Sequence, residues 1–215
     1  MTTQWRLDGT QFTVALAALG RDRMPYPLRF RADGATAEAH HRLKLQAAQQ
    51  LSNLAEPALY DTLAVLHEPE TRVEIKGFTD QVVIRMHAGV RGQLAALAIQ
   101  LPSLDPTYGL DVLLYRSTAT TLAAQIVGSL PKLAGGVHRP FTARESDLTA
   151  RGDSFMVDPL HRDPGSDVKR FFNRDRSGFG EITVCTGPAY DNRPTDGKAM
   201  LWLDYPGDGR YLLEH

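Results

Sequence analysis

The sequence predicts an α+β protein organised around an antiparallel sheet, on three observations. Apolar runs at 72–77, 82–86 and 93–100 follow one another between turn signals, as in a β-meander, and the first alternates as a strand with one wet face does. Helical periodicity is confined to the flanks of that region. The order helix, short polar link, strand occurs twice: once ending near His67 before the strand at 72–77, and once ending near Asp175 before the strand at 181–185. So long a period points to two related halves and not to a solenoid.

Asp8 and Gln11 stand three residues apart, as a capping box requires. Phe12, Leu16 and Leu19 then share one helical face, and Gly20 ends the helix. Two prolines make Met24–Leu28 non-helical. A second helix is expected over 35–53, with Leu43, Ala47 and Leu51 on one side, and a shorter third over 57–67. In the strand at 72–77, Val73 and Ile75 point inward and the charges outward. Gly77–Asp80 should turn the chain into Val82, Ile84 and Met86, and Gly89–Gly92 should make the next turn. Strands follow at 93–100 and Leu110–Tyr115. Ser117 is expected to cap a helix with Leu122, Ile126 and Leu130 on one face, ended by Pro131. Residues 134–165, rich in Gly, Pro, Arg and Asp, read as loop. A helix resumes near Ser166 with Val168, Phe171 and Phe172 apolar, and Ser177–Gly180 turns into the strand at 181–185. After a polar loop at 186–197, Met200–Leu203 and Tyr211–Leu213 form a last hairpin through Pro206–Gly209.

A chain of 215 residues, 42% apolar and 23% charged, is long enough for one large domain with a real core. We expect a single domain over 1–215, its halves approximately 1–133 and 134–215. A formal net charge of −1 argues against binding nucleic acid or an anionic membrane by bulk charge. Cys185 is the one cysteine, so no internal disulfide is possible and a reducing compartment is expected. The N-terminal stretch lacks the basic and apolar regions of a secretory signal, and no apolar run reaches about 18 residues. Both point to a cytoplasmic protein without membrane insertion.

Candidate chemistry is thin. His40 and His41 are adjacent, so on a helix they point about 100° apart and chelate one metal poorly. Cys185 has no base nearby in sequence and reads as a small hydrophobe on a strand. Ser177–Gly180 is glycine-rich but precedes a strand, whereas phosphate loops precede helices. Arg151-Gly152-Asp153 is an adhesion tripeptide in spelling only. No HExxH, CxxC or GxSxG occurs. Hence no catalytic residue, metal or cofactor is expected. A small enzyme would need His138, His161 and Asp163 to converge within hydrogen-bond reach around a loop-lined pocket. A binding protein needs only a shaped, partly apolar face with a polar rim. The sheet offers one: Arg85 and His87 stand opposite to Ile84 and Met86, and Val90 and Arg91 fall at a hairpin tip. Arg85, His87, Val90 and Arg91 are therefore the expected partner-binding residues. The same face also reads as the plain solvent side of an antiparallel sheet.

Several stretches together resemble the EspG family of type VII secretion systems. Trp5-Arg6-Leu7-Asp8-Gly9-Thr10-Gln11-Phe12 is similar to that family's opening, followed by a helix ending in Leu19-Gly20 and then Pro25-Tyr26-Pro27-Leu28. Phe171 to Ile182, through Asn173-Arg174-Asp175-Arg176-Ser177-Gly178, resembles its helix, basic glycine-containing turn and strand. Leu201-Trp202-Leu203-Asp204-Tyr205-Pro206-Gly207-Asp208-Gly209-Arg210-Tyr211-Leu212 resembles its closing hairpin. The resemblance implies a central antiparallel sheet with flanking helical bundles in two pseudo-symmetric halves. It also implies a cytosolic chaperone or adaptor that binds helical PE–PPE-like substrates and keeps them export-competent, with no cofactor. One departure stands out: the interval from Pro140–Leu148 to Ser166 is shorter than the family's helical stretch there. Two other readings are a small enzyme using His138, His161 and Asp163, and a homodimeric structural or interaction protein. The oligomeric state, monomer or dimer, is not fixed by the sequence.

Overall fold

The computed structural model describes residues 4–32, 36–79, 82–142, 164–189 and 197–214. Its strands are β1 (Gln4–Leu7), β2 (Thr71–Thr79), β3 (Val82–Arg91), β4 (Leu94–Pro102), β5 (Gly109–Thr118), β6 (Gly178–Thr186), β7 (Gly197–Tyr205) and β8 (Gly209–Glu214). They form one antiparallel sheet in the order β1-β5-β4-β3-β2-β6-β7-β8. The helices are α1 (Gly9–Ala18), α2 (Ala37–Leu54), α3 (Pro57–His67), α4 (Ala119–Ser129) and α5 (Pro164–Phe172). The α+β reading holds.

The two halves meet where β2 pairs with β6. Each of these strands has nine residues and each follows a helix, α3 before β2 and α5 before β6. That is the repeated order seen in the sequence.

Side chains alternate across the sheet, so register assigns the layers. Trp5, Leu7, Val112, Leu114, Ala96 and Ala98 share one face and pack under Phe12, Leu16, Leu59, Leu63 and Leu66 of α1 and α3. Asp8 caps α1 through the expected box: its side chain accepts from the Gln11 amide, and Gln11 accepts from the Asp8 amide. On the opposite face, Ile84, Met86, Ala88, Ala95 and Leu97 pack with Leu122, Ile126 and Leu130, from α4 and its end. Trp202 of β7 joins this second core. At the far end, Phe171 of α5 closes over Leu203, Tyr205 and Tyr211.

Five sequence expectations shift. The N-terminal residues form an edge strand, β1, which four residues flanking a helix cap do not reveal by periodicity. Gly77 lies inside β2 and not in a turn, because the Trp202 ring occupies the space its Cβ would need. The turn expected at Gly89–Gly92 moves on: Val90 and Arg91 pair with Ala95 and Leu94, leaving Gly92 and Gln93 as the loop, with Gly92 at φ +56°. Thr118, at the end of β5, caps α4 in place of Ser117. In α2, Ala47 is buried and Leu51 partly so, but Leu43 is exposed, because this helix packs chiefly on α1 and not on the sheet. Of the loop expected over 134–165, residues 143–163 lie outside the described residues and 164–165 already belong to α5, and of the loop at 186–197 residues 190–196 lie outside the described residues. Asp80 and Arg151-Gly152-Asp153 lie outside them too.

Candidate functional site

Arg85 and His87 do not lie on a wet face. They share the face covered by α1 and α3, and only 5% of Arg85 and 1% of His87 is exposed. The chain after α1 explains the correction. His87 Nδ1 lies 2.8 Å from the Tyr26 carbonyl, which only accepts, so Nδ1 carries the proton. Gln100, opposite Arg85, accepts from the Arg29 amide at 2.9 Å and donates to the Arg29 carbonyl at 2.8 Å. Arg85 donates to the carbonyls of Pro106, at 2.6 Å, and Tyr108. The polar row thus satisfies the backbone of two connections laid across the sheet. Burial holds the Arg85 guanidinium below its usual range, and the charge of Arg29 adds to this. Burial also keeps His87 neutral, its pKa lowered to about 4. Val90 is half-buried, and Arg91 is exposed at the hairpin tip, 3.8 Å from Glu68.

The accessible part of this face lies further along, where the halves join. Phe78 of β2 stands opposite Phe179 of β6, with ring centroids 6.4 Å apart. One register step away, Lys76 faces Glu181, which faces Leu201 of β7. Phe78, Phe179 and Leu201 are 37%, 53% and 42% exposed. Tyr26 borders the strip, with Lys76 Nζ 5.8 Å from its ring centroid. On the other side Leu203, paired with Phe179, is buried in the cluster closed by Phe171 of α5. The result is a strip of open sheet between two helical layers, apolar at its centre and charged at Lys76 and Glu181. Sequence periodicity does not reveal it, because Phe179 sits in a glycine-rich stretch with the composition of a turn. The signal was the alternation Phe179, Glu181, Thr183 against Gly178, Gly180, Ile182.

A polar clasp holds the C-terminal edge of that platform. Arg210 donates to both carboxylate oxygens of Asp204, at 2.7 and 2.8 Å, and its guanidinium lies 5.9 Å from the Trp202 ring centroid. Asp208 accepts from the Val137 amide, the Tyr211 hydroxyl and Arg174. The Val137 amide, with Arg174 and Tyr211, lowers its pKa to about 2. Arg174 stacks 4.2 Å over the Tyr205 ring. Gly209, at φ +150°, has the Ala134 carbonyl 2.6 Å from where a Cβ would sit. The closing hairpin motif is therefore a structural lock.

Catalytic groupings are scarce in what is described. His138 is exposed, its ring against Phe171 and Tyr211, while His161 and Asp163 lie outside the described residues. Cys185 is buried, and burial pushes its thiol up. Among the described residues no three His, Cys, Asp or Glu side chains form a metal-binding group. None of the described helices is long and apolar enough to cross a membrane.

Sheet, layers and strip define an α+β protein that offers an open apolar face between two helical layers. The model of the EspG family matches residues 8–215, essentially the whole chain. The chain belongs to the EspG family and is a type VII secretion-associated protein. No curated protein matches it.

Proposed function

We propose that this protein is a cytosolic secretion chaperone or adaptor, not an enzyme, which holds a helical PE–PPE-like substrate against the open strip and keeps it export-competent. The observation that carries the reading is the exposure of Phe78, Phe179 and Leu201 together at the junction of the halves. An aromatic and aliphatic centre with a charged rim suits the apolar face of an amphipathic helix. Covering such a face before export hides a patch that would otherwise aggregate.

Of the residues expected from sequence to touch the partner, Arg91 at the hairpin tip remains in this proposal as an outlying contact, whereas Val90 faces the opposite side of the sheet and packs against the second core. Arg91 lies about 27 Å along the sheet from Phe78, at the rise of an antiparallel strand. A helix of about 18 residues spans that distance.

Co-expression with a helical PE–PPE-like secreted protein, followed by affinity purification, tests the reading. The wild-type chain should retain a stoichiometric complex, and Phe179→Asp or Leu201→Arg should lose it while circular dichroism stays unchanged. Retention of the complex by both variants sinks the strip as the docking face. A wild-type chain that elutes alone, or as a homodimer, sinks the chaperone reading itself.

A further inference from the structure

A second concavity lies away from the strip, between α1, the 22–32 segment that follows it, and the first half of α2. It encloses about 940 Å³. Val14, Met24, Leu28 and Phe30 supply apolar surface to it. Around that surface stand Arg23, Arg29, His40, His41 and Lys44, with Asp22 the one acid among the described lining residues. Arg23, Arg29 and Lys44 are exposed, and none of the three has an ion-pair partner among the described residues. Buried Arg85 adds a further positive charge that is felt with Arg29. Asp105 answers Arg31 and Arg85 from the neighbouring loop, and among the described residues no acid pairs with Arg23, Arg29 or Lys44.

A chain with a formal net charge of −1 has no general excess of cations, so this cluster is a local feature. We propose that the cleft docks an acidic, amphipathic segment of a protein partner. Carboxylates of the segment answer Arg23, Arg29 and Lys44, and its aliphatic side chains cover Val14, Met24, Leu28 and Phe30. A lipid headgroup layer calls for basic side chains that protrude, and a nucleic-acid backbone calls for a longer basic track. A concavity with an apolar floor fits neither. The cleft uses other residues than the strip, so the two surfaces stand or fall separately.

Fluorescence anisotropy of a short labelled peptide, with leucines on one helical face and glutamates on the other, tests this on the full chain. The expected result is binding that weakens about tenfold or more from low to high salt, and by a similar factor when every glutamate is replaced with glutamine. Arg23→Glu/Arg29→Glu and, separately, Lys44→Glu should weaken it about tenfold or more. Lys44 lies on an exposed helix surface, so that variant keeps the test valid if the double variant misfolds. Phe179→Asp and Arg91→Glu should leave peptide binding unchanged, which separates this cleft from the substrate strip. Equal binding of the glutamate and glutamine peptides, no binding, or indifference to Lys44→Glu overturns the proposal. So does tighter, Lys44-dependent binding to phosphatidylglycerol vesicles or to a single-stranded oligodeoxynucleotide.

Discussion

Ile75 and Ile182 stand directly opposite each other in the β2–β6 pair, with four residue pairs on either side. They sit at the middle of the only strand contact that joins the two halves through the described sheet. Ile75 is fully buried and Ile182 packs partly against the same core. The join is therefore an apolar contact at the centre of the molecule and not a flexible seam. Ile75→Ala should cost about 2–5 kcal/mol, and Ile182→Ala less. Urea unfolding monitored by circular dichroism measures both. Two separate transitions in the wild type would mean that the halves unfold independently and would refute the shared platform.

Trp202 lies where Cβ atoms of Gly77 and Gly180 would fall, on two neighbouring strands. Glycine here makes room for a close approach and not for a turn. Gly180→Ala should destabilise by about 1–3 kcal/mol through overpacking. Gly180→Ala/Trp202→Leu should cost clearly less than the sum of its single changes, because removing the indole removes the clash. Additive losses in a double-mutant cycle would exclude the steric account.

The same glycines mark what was legible in the sequence and what was not. Period-2 alternation located β2 and β6, and the box at Asp8 and Gln11 located α1, because these signals are local. Gly77 and Phe179 look like turn residues in the sequence because their reason is long-range: one answers Trp202 and the other pairs with Phe78. Arg85 and His87 carry the alternation of a wet face, yet each is covered by a distant connection whose carbonyls it needs: Tyr26, 61 positions away, for His87, and Pro106 and Tyr108, 21 and 23 positions away, for Arg85. Local polarity cannot distinguish solvent from a distant backbone. The strip followed from the same cause, since it is the part of that face which the connection leaves open.

Asp204 is buried and is held by a bidentate contact from Arg210. Removing the guanidinium strands a buried carboxylate, so Arg210→Ala should cost about 3–5 kcal/mol. Arg210→Ala/Asp204→Asn should recover part of that loss, since the second change removes the charge left unpaired. Thermal unfolding of the four proteins in the cycle gives the coupling, and a coupling near zero would remove the lock from the account of the hairpin.

His87 sets an acid limit on stability. Its pKa falls from 6.5 to about 4, because burial penalises the imidazolium; Arg21 and Arg72 add to this, and the bond to the Tyr26 carbonyl opposes it. The folded chain therefore refuses a proton that the unfolded chain accepts. The stability contribution is fully present above pH 6.5, where neither state binds the proton, and is lost as pH falls from 6.5 through about 4. Over that window the loss from this group is about 3 kcal/mol, from the pKa difference at about 1.36 kcal/mol per unit. His87→Met removes the titration and keeps a buried apolar side chain, at the cost of the bond to Tyr26. Its unfolding free energy at neutral pH should be lower than that of the wild type, but should fall less steeply from pH 6.5 to 4. Below that range Asp208, with a pKa lowered to about 2, adds a second loss as its own carboxylate takes up a proton. Parallel wild-type and His87→Met curves between pH 6.5 and 4 would show that the imidazole is accommodated as a cation, and that the connection carrying Tyr26 moves aside to admit it.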